Sequence, residues 1–130
     1  MNIKYGFGKT VPMDFEAAID VVTHALQTEG FGVLTDIDVA ATMKKKLGEE
    51  MPPYRILGAC NPSLAHQAIT NEPSIGLLLP CNVVVRQEES GVVHVEFMDP
   101  ASVLSLVENP TVGELAGEVK SRLERVLAAL

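Results

Sequence analysis

The C-terminal segment constrains the fold most, because it predicts a long helix with a single apolar face. Thr111 and Glu114 fit a capping box, in which two side chains satisfy the first backbone N–H groups of a helix. The apolar residues that follow recur at three- and four-residue spacing: Leu115, Ala116, Val119, Leu123, Val126, Leu127 and Leu130. Because an apolar stripe of this kind has to be buried, we expect this helix to lie on a sheet.

A second long helix is predicted near the N-terminus, between two strands. Asp14 is a suitable N-cap, and Gly30 supplies a left-handed stop after Glu29. The apolar stripe of this helix has the same spacing: Phe15, Ala18, Ile19, Val22, Ala25 and Leu26. The loosely alternating Ile3–Lys9 predicts a strand before the helix, and Phe31–Ile37 predicts one after it.

Three more strands are predicted in the middle of the chain: Tyr54–Ala59, Ile75–Val85 and 93–97. The second of these is apolar without alternation, which favours burial on both faces, and Pro80 predicts a local break in it. Val93, Val95 and Phe97 alternate with polar residues, as expected for a strand with one buried face. Short helices are expected at 39–47, after Asn61-Pro62 and from Asp99-Pro100 to about Val107.

The order of major elements is therefore strand, helix, four strands, helix, in one domain over residues 1–130. It predicts a two-layer α+β fold with an antiparallel, possibly mixed, five-stranded sheet and both long helices on one face. A parallel, doubly wound sheet is the alternative, since helices also follow the second and third strands. The helix at 39–47 has too few apolar positions for a crossover packed on a sheet, which favours the α+β fold.

Charge and hydropathy exclude several classes of protein. The net charge is −7 and the only basic cluster is 44–46, so a nucleic-acid partner is not expected. The first residues contain no apolar core of a signal peptide, and the longest apolar run is shorter than the ~20 residues of a membrane span. We therefore expect a cytoplasmic protein without a membrane partner, whose two cysteines stay reduced.

Two Cys-Asn steps mark the candidate site. Cys60-Asn61-Pro62 ends a strand and begins a helix, where exposed N–H groups and the helix dipole favour a thiolate and an anionic ligand. Cys81-Asn82 follows Pro80 in the next strand. These five residues, together with Asp99 before Pro100, are the ligand-binding candidates. The alternative is structural, because free cysteine is often a buried small hydrophobe and Asn61 is explained by capping.

A metal site is less well supported by the spacing. Cys60, Cys81, His66 and His94 are potential ligands, but no pair has the CxxC or HxxxH spacing of a metal motif. His66 lies opposite the apolar face of its helix, which indicates a solvated side chain. Gly113 and Gly117 have GxxxG spacing, which predicts close helix packing in a folded domain.

Several blocks of the sequence resemble the family known as domain of unknown function 302. They are GFGVLT at 30–35, KLG at 46–48, YRILGACNP at 54–62, GLLLPCNVVV at 76–85 and Asp99-Pro100. The resemblance implies a fold similar to the TATA-binding-protein-like α+β class and a homodimer. It brings no established activity, and any cofactor stays unknown.

Three functions remain open at this point. The first is a homodimeric domain that binds a small molecule where the two Cys-Asn steps meet. The second is a thiol-dependent redox enzyme or sensor, in which Cys60 attacks and Cys81 resolves. The third is a structural or interaction module with inert, buried cysteines.

Overall fold

The computed structural model describes residues 3–130, which form a mixed succession of strands and helices. The strands are β1 (Gly6–Val11), β2 (Gly32–Asp38), β3 (Tyr54–Cys60), β4 (Cys81–Gln87) and β5 (Val93–Met98). The α-helices are α1 (Phe15–Thr28), α2 (Val39–Leu47), α3 (Pro62–Asn71), α4 (Pro100–Val103) and α5 (Pro110–Ala128). Short 3₁₀ helices span Pro73–Leu78 and Leu104–Val107.

The strands form one sheet in the order β1-β5-β4-β3-β2, and every neighbouring pair is antiparallel. Helices α1 and α5 pack on one face of this sheet and on each other. The predicted two-layer α+β fold is confirmed, and the parallel alternative is wrong. Helix α2 buries no residue, in agreement with its weak apolar stripe.

Side-chain caps begin the helices where the sequence predicts them, with one exception. Asp14 accepts a hydrogen bond from the Ala17 amide at 2.8 Å, and Gly30 has a left-handed φ of 83° after the end of α1. The predicted Thr111 cap is wrong, because Asn109 caps α5 and accepts from the Thr111 amide at 3.0 Å. Pro110 then occupies the first turn, as prolines commonly do.

The predicted strand Ile75–Val85 is wrong in its first half. Pro73–Leu78 forms a 3₁₀ helix, the Leu79–Pro80 peptide bond is cis, and β4 begins at Cys81. Pro73 starts the helical turn, and Pro80 provides no N–H for a strand ladder. Ile75 is buried together with residues of α3 and α5 and not inside the sheet, whereas Leu77 is 87% exposed.

Two clusters of buried residues stabilise the domain. The main core lies between the sheet and the long helices and contains most of the buried aliphatic and aromatic side chains, such as Val83, Val95 and Phe97. A satellite cluster lies beyond the end of the sheet and comprises Ala68, Ile75, Leu104, Val112 and Ala116. Helix α5 contributes to both clusters, so it connects the satellite to the sheet layer.

Gly58 allows a close contact on the other face of the sheet. A Cβ atom at this position would lie 2.8 Å from Pro80 Cγ and still closer to the Thr35 hydroxyl. Because Gly58 has no side chain, β2 and the segment before β4 can both lie close to β3 here. These three parts of the chain also carry the candidate site.

Candidate functional site

The structure contains a cavity of about 320 Å³ between the end of the sheet and helices α3 and α5. It lies where the main core and the satellite cluster meet, and residues of both clusters line it. The lining residues are Phe31, Leu34, Thr35, Ala59, Cys60, Asn61, Leu64, Ala65, Ala68, Ile69, Gly76, Leu79, Pro80, Cys81, Leu104, Val112, Leu115, Ala116 and Val119. A volume near 300 Å³ with mainly apolar walls is typical of a small-molecule site.

Antiparallel pairing brings both cysteines to this cavity. Ala59 is the pairing partner of Cys81, and Gly32 is the partner of Cys60. The end of β3 therefore lies beside the beginning of β4, at one end of the sheet. Both thiols are free, Cys81 is buried and Cys60 is half-buried. The predicted meeting of the two cysteines at one cleft agrees with this geometry.

A β-bulge forms part of the cavity mouth. The β2–β3 register shifts between Val33 and Thr35, so Leu34 is the extra residue on the edge strand. Bulges turn a side chain away from its regular direction. Leu34 lines the cavity but is 66% exposed, and Ile69 on α3 is 46% exposed and also lines it. The cavity therefore reaches the surface between β2 and α3.

Asn61 is a buried polar residue in the cavity wall, and its side-chain oxygen caps helix α3. Asn61 Oδ1 accepts a hydrogen bond from the Leu64 amide at 3.2 Å and so begins α3. Its Nδ2 lies beside Gly30, where an added Cβ atom would approach within 2.9 Å. The capping role predicted for Asn61 is confirmed.

The pKa values of the two thiols differ from the expectation for a reactive cysteine. Burial raises the pKa of Cys60, whereas its place before a helix predicted a lowered value. Burial, with a smaller contribution from Cys60, raises the pKa of Cys81 to about 11. At neutral pH both sulfurs are therefore protonated and uncharged.

The remaining ligand-binding candidates lie in other surroundings. Asn82 is exposed and belongs to a depression that Tyr54 and Arg86 also line, away from the two thiols. Pro62 is exposed at the start of α3. Asp99 caps α4, and its Oδ2 lies 3.0 Å from Lys120 Nζ. Burial alone would raise the pKa of Asp99, but hydrogen bonds from Lys120, Ser102 and Ala101 outweigh burial and lower it.

The metal-ligand candidates do not assemble. Over residues 3–130, no three His, Cys, Asp or Glu side chains come close enough together to hold a metal ion. His66 is exposed on α3. His94 Nε2 is buried 3.4 Å from Glu88 Oε1, without the alignment of a hydrogen bond.

The sequence did not predict the wall formed by the second half of the chain. Leu104, Val112, Leu115, Ala116 and Val119 come from the 3₁₀ helix after α4 and from α5. The spacing of Leu115, Ala116 and Val119 predicted burial, but not burial around a cavity; Leu104 and Val112 were not predicted to be buried. The sequence did contain one signal for this wall, which is the length of the apolar stripe of α5. The helix extends beyond the sheet at its N-terminal end and packs against α3 there.

The raised pKa of Cys60 leads to a prediction about its reactivity. Iodoacetamide should alkylate Cys60 at pH 7 more slowly than it alkylates free cysteine, since a smaller fraction of the thiol is ionised. The rate should rise with pH, and its midpoint should lie above the ordinary value of ~8.5. Mass spectrometry of a Cys81→Ala variant isolates this thiol. A midpoint below neutrality would contradict the prediction and restore the redox hypothesis.

Across the described residues, no helix combines the length and the apolarity that crossing a membrane requires. The GxxxG glycines Gly113 and Gly117 are exposed, and a Cβ atom added at either would meet no neighbour within 4 Å among the described residues. The close helix packing predicted for these two glycines therefore does not occur among the described residues.

Comparisons with known proteins agree with the fold. The model of the family described as "Domain of unknown function DUF302" matches residues 7–130. A crystal structure of an uncharacterized conserved protein DUF302 from Bacillus stearothermophilus is similar, with a TM-score of 0.89 and 27% sequence identity. The alignment covers 96% of this chain and 97% of that one. No curated protein matches the chain.

Proposed function

The chain belongs to the DUF302 family, and from the geometry of the cavity we propose that it is a domain that binds a small molecule beside Cys60 and Cys81. The observation that supports this function is the cavity itself. Its 320 Å³ lie at the lower end of the range of ligand sites, and both thiols contribute to its wall. Its lining is mainly apolar and it opens to solvent, which is the usual character of a small-molecule site.

The position of the cavity also favours binding. Its mouth, at Leu34 and Ile69, gives a ligand a route from solvent without unfolding of the main core. The walls come from β2, β3, β4, α3 and α5, and the sheet end is held in place by ladder hydrogen bonds. A largely preformed cavity lowers the entropic cost of ordering a site upon binding.

A fluorescent probe tests the proposal directly. Neutral 1-aminonaphthalene should bind to the protein with a blue shift of its emission. Ala65→Phe places an aromatic ring in the cavity and should weaken binding at least tenfold, or ~1.4 kcal/mol. Gln67→Phe introduces the same ring at an exposed position of α3 and should leave the affinity unchanged. Equal binding by both variants, or no binding by the native protein, would refute the proposal.

The redox function is the second candidate, because both thiols line one cavity. Burial disfavours the thiolate that an attacking cysteine needs, since it raises the pKa of each sulfur. The alkylation experiment above separates the two functions. A reactive Cys60 would favour the redox enzyme, and an unreactive one favours the binding domain.

The family resemblance implies a homodimer, and we propose that the second copy of the chain covers the open face of the sheet. The interior strands present Tyr54, Ile56, Val84 and Met98 on this face, and these side chains are half-buried. The two charged residues beside them neutralise each other, because Arg86 Nε donates to Glu96 Oε1 at 2.8 Å. In a chain of net charge −7, a neutral apolar face minimises repulsion between two copies.

The oligomeric state provides the test. We expect sedimentation velocity at micromolar concentration to show a dimer for the native protein and a monomer for Val84→Lys, because the added charges would repel each other at the interface. Val21→Lys, on the solvent-exposed side of α1, adds the same charge and should remain a dimer. A native monomer, or a dimeric Val84→Lys variant, would exclude this interface.

A further inference from the structure

The walls of the cavity lack the groups that recognise a charged ligand. Among the described residues that line it, none has an acidic or basic side chain. The polar wall groups are few, and Asn61 Oδ1 already accepts a hydrogen bond from the Leu64 amide. An ion placed here would lose its hydration and meet no side chain of opposite charge among the lining residues, which is unfavourable.

The thiols do not alter this chemistry. Each sulfur is protonated at neutral pH, because burial raises its pKa, and a protonated thiol is a weak hydrogen-bond donor. Apart from Phe31, Thr35 and Asn61, the surrounding walls are aliphatic. Cys60 and Cys81 therefore contribute soft, uncharged surface to the cavity.

The volume limits the size of an occupant. A group the size of a water molecule occupies about 30 Å³, so a cavity of 320 Å³ accommodates about ten such groups. This is enough for a medium-length alkyl chain, and too little for a folded peptide segment. Smaller apolar cavities, of roughly 150 Å³, remain dry and bind benzene.

From these three observations we infer that the cavity takes an uncharged aliphatic ligand of about ten heavy atoms, such as a medium-chain alcohol or the equivalent part of a larger neutral molecule. This inference rests on the proposed binding function and adds the chemical class of the ligand. Leu34 and Ile69, at the mouth, extend the apolar path to the surface, so the chain enters there.

Competition against bound 1-aminonaphthalene tests the ligand class with three compounds of equal chain length. Octanol should displace the probe, whereas octanoate and octylammonium should be at least tenfold weaker. Within the series from butanol to octanol, affinity should rise about fourfold for each added methylene. The gain should stop when the chain exceeds the length of the cavity.

A change at the mouth provides a second measurement. Ile69→Lys places a cation beside the entrance at a position that is already 46% exposed, so the variant should fold. The affinity for octanoate should then rise at least tenfold relative to the affinity for octanol. Ile69→Gln introduces a long polar side chain without a charge and should leave the ratio of the two affinities unchanged.

The outcomes separate the ligand class from the binding function. If octanoate or octylammonium competes as well as octanol, and Ala65→Phe still abolishes probe binding, the inferred ligand class is wrong and the binding function stands. If the probe does not bind, or binds equally to Ala65→Phe, both are wrong.

Discussion

Replacing Phe97 with alanine should destabilise the domain by about 3–5 kcal/mol, the usual cost of removing a buried aromatic side chain. Phe97 lies on the interior strand β5, is 1% exposed and pairs with Phe7 on one side and Val83 on the other. Its ring stacks on that of Phe7 with centroids 5.7 Å apart. Alanine would leave a cavity between the sheet and the helices, and rigid strand pairing on both sides of β5 would prevent the cavity from closing.

Urea unfolding followed by far-UV circular dichroism measures this loss, since the chain contains no tryptophan for fluorescence. The denaturation midpoint should fall while the slope m stays constant. Tyr5→Ala, which removes an aromatic ring that is 66% exposed, should change stability by no more than about 0.5 kcal/mol. Similar losses for both variants would show that the main core does not lie where the structure has it.

Local signals in the sequence predicted the fold because they agree with its long-range contacts. Val93, Val95 and Phe97 alternate with polar residues, and all three are buried in the main core. The Asp14 cap and the Gly30 stop fix the ends of α1 before any packing is considered. These signals need only neighbouring residues, which is why they can be read from one sequence.

The errors arose where tertiary structure overrides a local pattern. The apolar run from Ile75 onward satisfies the pattern of a buried strand and of a buried 3₁₀ helix equally well. Tertiary burial beneath α3 and α5 decides between the two. Helix α5 begins at Asn109-Pro110 in the same way that α3 begins at Asn61-Pro62. The sequence therefore contained the correct start signal, but the capping-box pattern at Thr111 predicted a later start.

Of the candidate site, the sequence predicted the proximity of the two cysteines but not the cavity. The neighbouring positions of Cys60 and Cys81 follow from the pairing of consecutive strands, which the sequence does suggest. The cavity does not follow from it, because a void depends on how α3, α5 and the 3₁₀ helices fail to fill the space between two cores. The placement of Asn82 on the open face is a consequence of strand alternation, since it is the immediate neighbour of inward-facing Cys81.

Cys81 should make the domain less stable in alkaline solution. Burial, followed by the neighbouring Cys60, raises the pKa of the Cys81 thiol from 9.0 to about 11 in the folded state. The folded protein therefore holds this proton more tightly than the unfolded chain does. The resulting stabilisation is present below the pKa of the unfolded chain and is lost as pH rises through 9 toward 11. A shift of this size corresponds to about 3 kcal/mol.

The measurement compares urea midpoints of the native protein and of Cys81→Ala between pH 8 and pH 11, with a reductant present. The native protein should lose about 2 kcal/mol more than the variant over this range, because only it carries the buried Cys81 thiol and that thiol is about half ionised at pH 11. Cys60→Ala is the matched control; it retains Cys81 and should stay closer to the native curve than Cys81→Ala does, because burial is the larger cause of the Cys81 shift. Other groups that titrate in this range contribute equally to the native protein and to Cys81→Ala and cancel in their difference. Parallel curves for the native protein and Cys81→Ala would mean that this thiol ionises as freely in the folded state as in the unfolded chain, and the cavity wall around it would then have to be accessible to water.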